Sequence, residues 1–135
     1  MSAVNEAVGA HVYLETDFDS AVDQVVAALK EEGFGVLTEI DVKNTLKARL
    51  DVDFRPYKIL GACNPPLAHR ALSANPEVGM LLPCNVTVAE EDDGRILVSL
   101  VNPRAMLAVI DAPAMQEVAN DAAVRLDRVA AALST

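Results

Sequence analysis

Cys63, His69 and Cys84 are the side chains best suited to nucleophilic, redox or metal chemistry in this chain, which holds two cysteines and two histidines in all. Cys63 ends the apolar run "YKILGAC" and is followed at once by "NPPLAHRAL". There Asn64 reads as a helix cap and Pro65 as the first helical residue, where a missing N–H costs nothing. The opening N–H groups of a helix lack intrahelical partners and the helix dipole is positive there. A thiolate at Cys63 would be stabilised by both. His69 lies about one turn and a half further on, at 3.6 residues per turn. Cys84 opens a second β-rich run directly after Pro83, and each cysteine is followed by asparagine.

Three chemistries fit those residue types. In a redox pair Cys63 attacks and Cys84 resolves, although the chain has no C-x-x-C motif. In a metal site Cys63, Cys84 and His69 supply three soft ligands for Zn²⁺ or Cu(I), although their spacing matches no zinc finger. In an acyl or adduct-forming site Cys63 is the nucleophile and His69 its base. Against all three stands a plain alternative: free cysteine is among the most buried residue types and often serves as a small hydrophobe.

A second departure from background is basic. Lys43, Lys47, Arg49, Arg55 and Lys58 are five of the eleven basic residues, packed into sixteen positions and opposed there only by Asp51 and Asp53. Lys43 and Lys47 lie one helical turn apart and share a face. Pro56 forces the backbone at Arg55 to be extended, and a guanidinium so placed can fork onto a carboxylate or phosphate. The functional reading is a small-anion site using Lys43, Lys47, Arg55 and Asn64. The structural reading is a solvated helix face with Arg55 paired to an acid. The acidic run in "AEEDDGR" lacks the spacing and closing glutamate of a calcium loop and reads as a hairpin tip.

The elements that must position these groups follow from periodicity. "GAHVYLE" alternates as a strand. In the following helix Val22, Val25, Val26 and Leu29 recur at helical spacing, with Asp19 as cap and Gly33 as stop. "FGVLTEID" is a second strand with Phe34, Val36, Thr38 and Ile40 on one face, and "VKNTLKARL" a short helix striped by Val42, Leu46 and Leu50. After the strand and helix around Cys63, "PEVGMLLP" is apolar but broken by proline and glycine. Two β-rich runs then flank Asp93-Gly94, a pair favoured in type I′ hairpin turns. The second run, "ILVSLV", is apolar on both faces and should be covered on both. A helix from about Ala112 to Leu133 closes the chain, striped by Met115, Val118, Ala119, Ala122, Leu126, Val129 and Leu133. The order β-α-β-α-β-α-β-β-α implies an α+β fold: a mostly antiparallel five-stranded sheet with helices on one face, with the crossover from strand one to strand two as the one candidate for a parallel pair.

Composition narrows the function. At 135 residues the chain is the size of one domain, 1–135, with 1–8 expected to be flexible. Apolar residues make up 52% and charged residues 23%, ordinary values for a globular core. The formal charge of −9 disfavours nucleic acid and anionic membranes as partners. No apolar run is long enough to span a bilayer, and the N-terminus lacks the basic and apolar parts of a secretory signal, so a cytoplasmic protein is expected.

"EEGFGVLTEIDV", "FRPYKILGACNPPLAHRAL", "LLPCNVTV" and "DGRILVSLVNP", followed by a closing helix, carry a resemblance. In that order, and with Arg55-Pro56, Asn64-Pro65, Leu82-Pro83 and Asp93-Gly94 at their spacing, they resemble domain-of-unknown-function family 302 (DUF302). The resemblance implies a small dimeric α+β domain of bacteria and archaea and brings no activity with it. It also implies that the fold does not need the thiol, because one branch of the family carries glycine at the position of Cys63. The expectation is therefore a homodimeric module with a cleft for a small anionic or hydrophobic ligand near Cys63, His69 and Cys84, with Arg55 on its rim. The alternatives are a thiol- or metal-dependent enzyme using the same three residues, or an interaction module whose interface is strand 95–101 and the last helix.

Overall fold

Every strand of the sheet is antiparallel to its neighbours. The structure, a computed structural model, describes Val4 and residues 6–135; the segment expected to be flexible falls partly outside them. The strands are β1 (Gly9–Leu14), β2 (Gly35–Asp41), β3 (Tyr57–Cys63), β4 (Cys84–Glu90) and β5 (Ile96–Val101), in the order β1-β5-β4-β3-β2. The expected α+β class and element order hold. The expected parallel crossover does not. β1 and β2 occupy opposite edges of the sheet and never pair, because β5 returns from the hairpin to lie beside β1.

Helix α1 (Phe18–Glu31) carries the chain between those two edges. Its cap is Asp17 rather than Asp19: the Asp17 carboxylate accepts from the Ser20 N–H at 2.8 Å, which leaves Asp19 inside the first turn. Ala21, Val22, Val25 and Leu29 form its buried stripe. They pack on the sheet face made by Val12, Val98, Val88 and Leu60, whose register sets Val12 opposite Val98 and Val98 opposite Val88. The last helix, α5 (Pro113–Leu133), closes this layer with Leu126, Val129 and Leu133. A fully buried side chain of this size contributes roughly 1.5–3 kcal/mol.

The N-terminal half of α5 belongs to a second apolar cluster. Met115, Val118, Ala119 and Ala122 pack there with α3 (Pro65–Ala74), the 3-10 helix Pro76–Leu81 and α4 (Pro103–Leu107). One helix therefore joins two cores. Its stripe is spent inside the chain and is not available as the interface expected of it. On the opposite face of the sheet Leu97 is also buried, in a row with Tyr13, Ala89 and Tyr57.

Two local departures from expectation have clear causes. A bulge between Val36 and Thr38 breaks the alternation of β2, so Val36 packs into the core while Thr38 lies beside Gly61 on the other face. The hairpin between β4 and β5 is not type I′. Gly94 has φ +86° but Asp93 does not have positive φ; the Gly94 N–H bonds to the Glu91 carbonyl at 2.9 Å and the Glu91 N–H to the Arg95 carbonyl at 2.8 Å. That is a three-residue loop with glycine in the left-handed position.

Candidate functional site

Where the two cores meet, neither fills the space. A cavity of about 300 Å³ lies between the ends of β3 and β4, α3 and the middle of α5. Phe34 and Ala62 come from the first core; Leu67, Ala71, Leu107, Val118 and Ala122 come from the second. The void exists because alanines stand at the joint. Ala62, Ala68, Ala71 and Ala122 all border it, and their side chains end at one carbon. No charged side chain lines it. Gly61 and Pro83 fix one margin: a β-carbon at residue 61 would collide with the Thr38 hydroxyl and the Pro83 ring.

Cys63 and Cys84 both border this cavity, and both thiols are free. β3 and β4 are indeed neighbours, but Cys84 stands opposite Ala62. Cys63 is one residue further along, and pleating sends adjacent side chains to opposite faces of a sheet. The thiols thus do not face each other across the ladder as cross-strand partners do. Cys84 is buried, and burial, helped by the nearby Cys63, pushes its thiol up to about 11. It is a thiol, not a thiolate, at neutral pH.

The helix after Cys63 offers it no amides. Pro65 and Pro66 have no N–H. The Leu67 N–H is taken by the Asn64 side-chain oxygen at 3.3 Å, and the Ala68 N–H by the Asn64 carbonyl at 2.9 Å. The expected convergence of free donors on Cys63 is therefore absent: a Pro-Pro start and a capping side chain use up the first turn. Asn64 is itself buried, and its amide nitrogen donates to the Glu32 carbonyl at 3.3 Å, tying the end of α1 to the start of α3.

His69 is exposed on α3, two residues from each of the buried Leu67 and Ala71, hence on the opposite side of the helix, and it does not line the cavity. Among the described residues no three His, Cys, Asp or Glu side chains gather as a metal site, so Cys63, Cys84 and His69 are not brought together as a ligand set.

The basic residues lie at the far end of the same strands. Gly35 pairs with Cys63 and Asp41 with Lys58, six residues apart along β2, which is roughly 20 Å at 3.3 Å per residue. Arg55 precedes β3 at that end and does not rim the cavity. It clamps the hairpin: its guanidinium donates to the Glu90 carbonyl at 3.2 Å, to Glu91 at 2.9 Å and to Asp92 at 3.1 Å. Lys47, on α2 (Val42–Leu50), pairs with Asp51 at 2.9 Å and Asp53 at 3.4 Å; Lys43 is exposed on the same helix. Lys58 pairs with Glu39 at 2.6 Å.

Sequence patterning gave no sign of most cavity walls, since Val118 and Ala122 read as a core stripe and Leu67 and Ala71 only as part of a capped helix. Nor did it show that the other histidine, His11, meets Ser99 at 2.9 Å across the β1–β5 pair. Ser99 lies mid-strand between two ladders, without the free amides that an acyl-transfer oxyanion requires.

The family model described as "Domain of unknown function DUF302" matches residues 10–133. Among solved structures, the crystal structure of an uncharacterized conserved DUF302 protein from Bacillus stearothermophilus is similar. It is 33% identical, the match covers 93% of this chain and 95% of that one, and the TM-score is 0.81. No curated protein matches. No helix among the described residues is long and apolar enough to cross a membrane.

Proposed function

This chain belongs to the DUF302 family, and from that premise we propose that it is a self-associating cytoplasmic module that binds a small, uncharged, apolar ligand between its two cores. The cavity of about 300 Å³ carries the reading. That volume is at the lower end of the range for ligand pockets, roughly 300–1,000 Å³. An apolar cavity of roughly 150 Å³ stays dry and admits benzene. About twice that space suits a two-ring hydrocarbon or a short alkyl chain.

The charge distribution argues for an uncharged ligand in this place. Lys43, Lys47 and Arg55 lie at the far end of β2 and β3, and no cation borders the walls to offset the cost of burying a negative charge. The enzyme alternative is weaker for the same thiols: Cys84 is held protonated, and the helix start beyond Cys63 has spent its donors.

The test uses N-phenyl-1-naphthylamine, an uncharged apolar probe that fluoresces when desolvated. Wild type should bind it saturably, and Ala122→Leu, which fills the joint, should weaken binding by at least ~10-fold while keeping the fold by circular dichroism, because one added side chain occupies much of a small void. Absence of binding, or binding indifferent to Ala122→Leu, overturns the reading. A melting shift with inorganic phosphate and none with the probe would restore the anion site.

A further inference from the structure

A second cavity, of about 450 Å³, opens at the β1 edge of the sheet, between β1, the turn before it, α4 and α5. Its volume is ordinary for a ligand pocket. Its walls differ from those of the first. Ala10, Leu100, Ala123 and Leu126 give it apolar surface, and charges of both signs stand around that surface: Arg104 from α4, Asp127 from α5 and Glu6 from the turn. His11, already bonded to Ser99, borders it too.

Arg55, Arg70, Arg95, Arg125 and Arg128 each pair with an acid. Arg104 pairs with none among the described residues, and neither Asp127 nor Glu6 meets a cation there. Asp127 even stands beside Arg128, whose guanidinium goes to Glu32 at 2.8 Å instead. Arg104 is nevertheless oriented. Its Nε donates to the Asn120 side-chain oxygen at 2.9 Å, which keeps the two terminal nitrogens as a fork for a carboxylate. Opposite charges that border one groove without meeting are complementary to a ligand that carries both.

Helix geometry gives the span. Asn120, which holds Arg104, and Asp127 are seven residues apart on α5. That is two turns along one face, about 10 Å. A charge-assisted contact of about 2.8 Å at each end leaves roughly 4–5 Å between the ligand's own charges. The gap falls between the reach of one residue and that of two, at up to about 3.5 Å each.

We propose that this groove binds a dipeptide, its carboxylate forked on Arg104 and its ammonium on Asp127. Glu6 makes the walls net negative, so the ammonium is the better-held end. Aliphatic side chains of the ligand rest on Ala10, Ala123 and Leu126. This groove shares no lining residue with the apolar cavity, so its occupancy and the probe-binding test stand or fall separately.

Isothermal titration calorimetry of the full chain with alanylalanine, its N-acetyl form and its C-terminal amide decides the matter. Wild type should bind the free dipeptide saturably and each blocked form at least ~10-fold more weakly, because each has lost one ion pair. Arg104→Gln should weaken the free dipeptide by a similar factor and leave the amide unchanged. Asp127→Asn should weaken it too and leave the acetylated form unchanged. That crossed pattern assigns each end to its residue, and a general loss of structure would not produce it. Both positions are exposed, so the substituted chains should keep their circular dichroism. No saturable binding of the free dipeptide, equal binding of blocked and free forms, or indifference to both substitutions overturns the proposal.

Discussion

The two ends of the β2–β3 pair solve opposite problems. At the Cys63 end the chain turns inward, and α3, α4 and α5 converge on walls without charge. At the Lys58 end it turns outward: α2 buries nothing, and three of the five cations are met by local acids, Lys58 by Glu39, Lys47 by Asp51 and Arg55 by the hairpin. The charged groups, which draw the eye as binding candidates, are mostly neutralised within their own neighbourhood. The apolar end, where nothing attracts notice in sequence, is where space is left. Small side chains at a joint between cores make a site more readily than charges that have found partners.

Titrating Cys84 should give the largest effect on the apolar end. Its folded pKa of about 11 lies above the ordinary thiol value, so the folded state holds a proton that the unfolded chain releases first. Stability should therefore be unaffected below about pH 9 and fall as pH rises from about 9 to about 11, by about 1.4 kcal/mol per unit. Denaturant melts of wild type and Cys84→Ala across that window isolate this contribution from lysine and tyrosine titration. Equal pH slopes for the two proteins would mean that Cys84 is not buried as described.

Asn64→Ala should come next. It removes both the cap on Leu67 and the bond to the Glu32 carbonyl from a buried position, and should cost about 2 kcal/mol by denaturant melt. A loss below about 0.5 kcal/mol would show that the α1–α3 tie carries little. The charged end should respond least. Arg55→Ala leaves Glu91, whose side chain is 9% exposed, with less compensation and should cost about 1 kcal/mol. Lys47→Ala, on the surface, should cost less than about 0.5 kcal/mol. If Lys47→Ala exceeded Arg55→Ala, the contrast between half-buried and solvated pairs at that end would fail.

Much of the local architecture was readable from residue types. The α5 stripe, most of the α1 stripe (Val26 is exposed and Ala21 takes the buried place), the Asn64 cap with its prolines and the strand flanking Cys63 follow from short-range rules of period and capping. The reading erred where two rules competed within a few residues. Asp17 won the cap from Asp19 because it, not Asp19, is three residues before an N–H it can reach. Gly94 alone took the left-handed position because the hairpin closes on Glu91 and Arg95 rather than on the Asp93-Gly94 pair.

By itself, then, the sequence determined the elements, their class and the presence of two thiols near strand ends. It did so because period, caps and turn residues act over a few positions along the chain. Which strands become neighbours, that Arg55 and Cys63 stand at opposite ends of one ladder, that His69 turns away from the cysteines, and that two cores meet around four alanines were decided only by tertiary packing. Those facts depend on contacts between residues far apart in the chain, and an alanine reads the same whether its methyl touches a neighbour or borders an empty space.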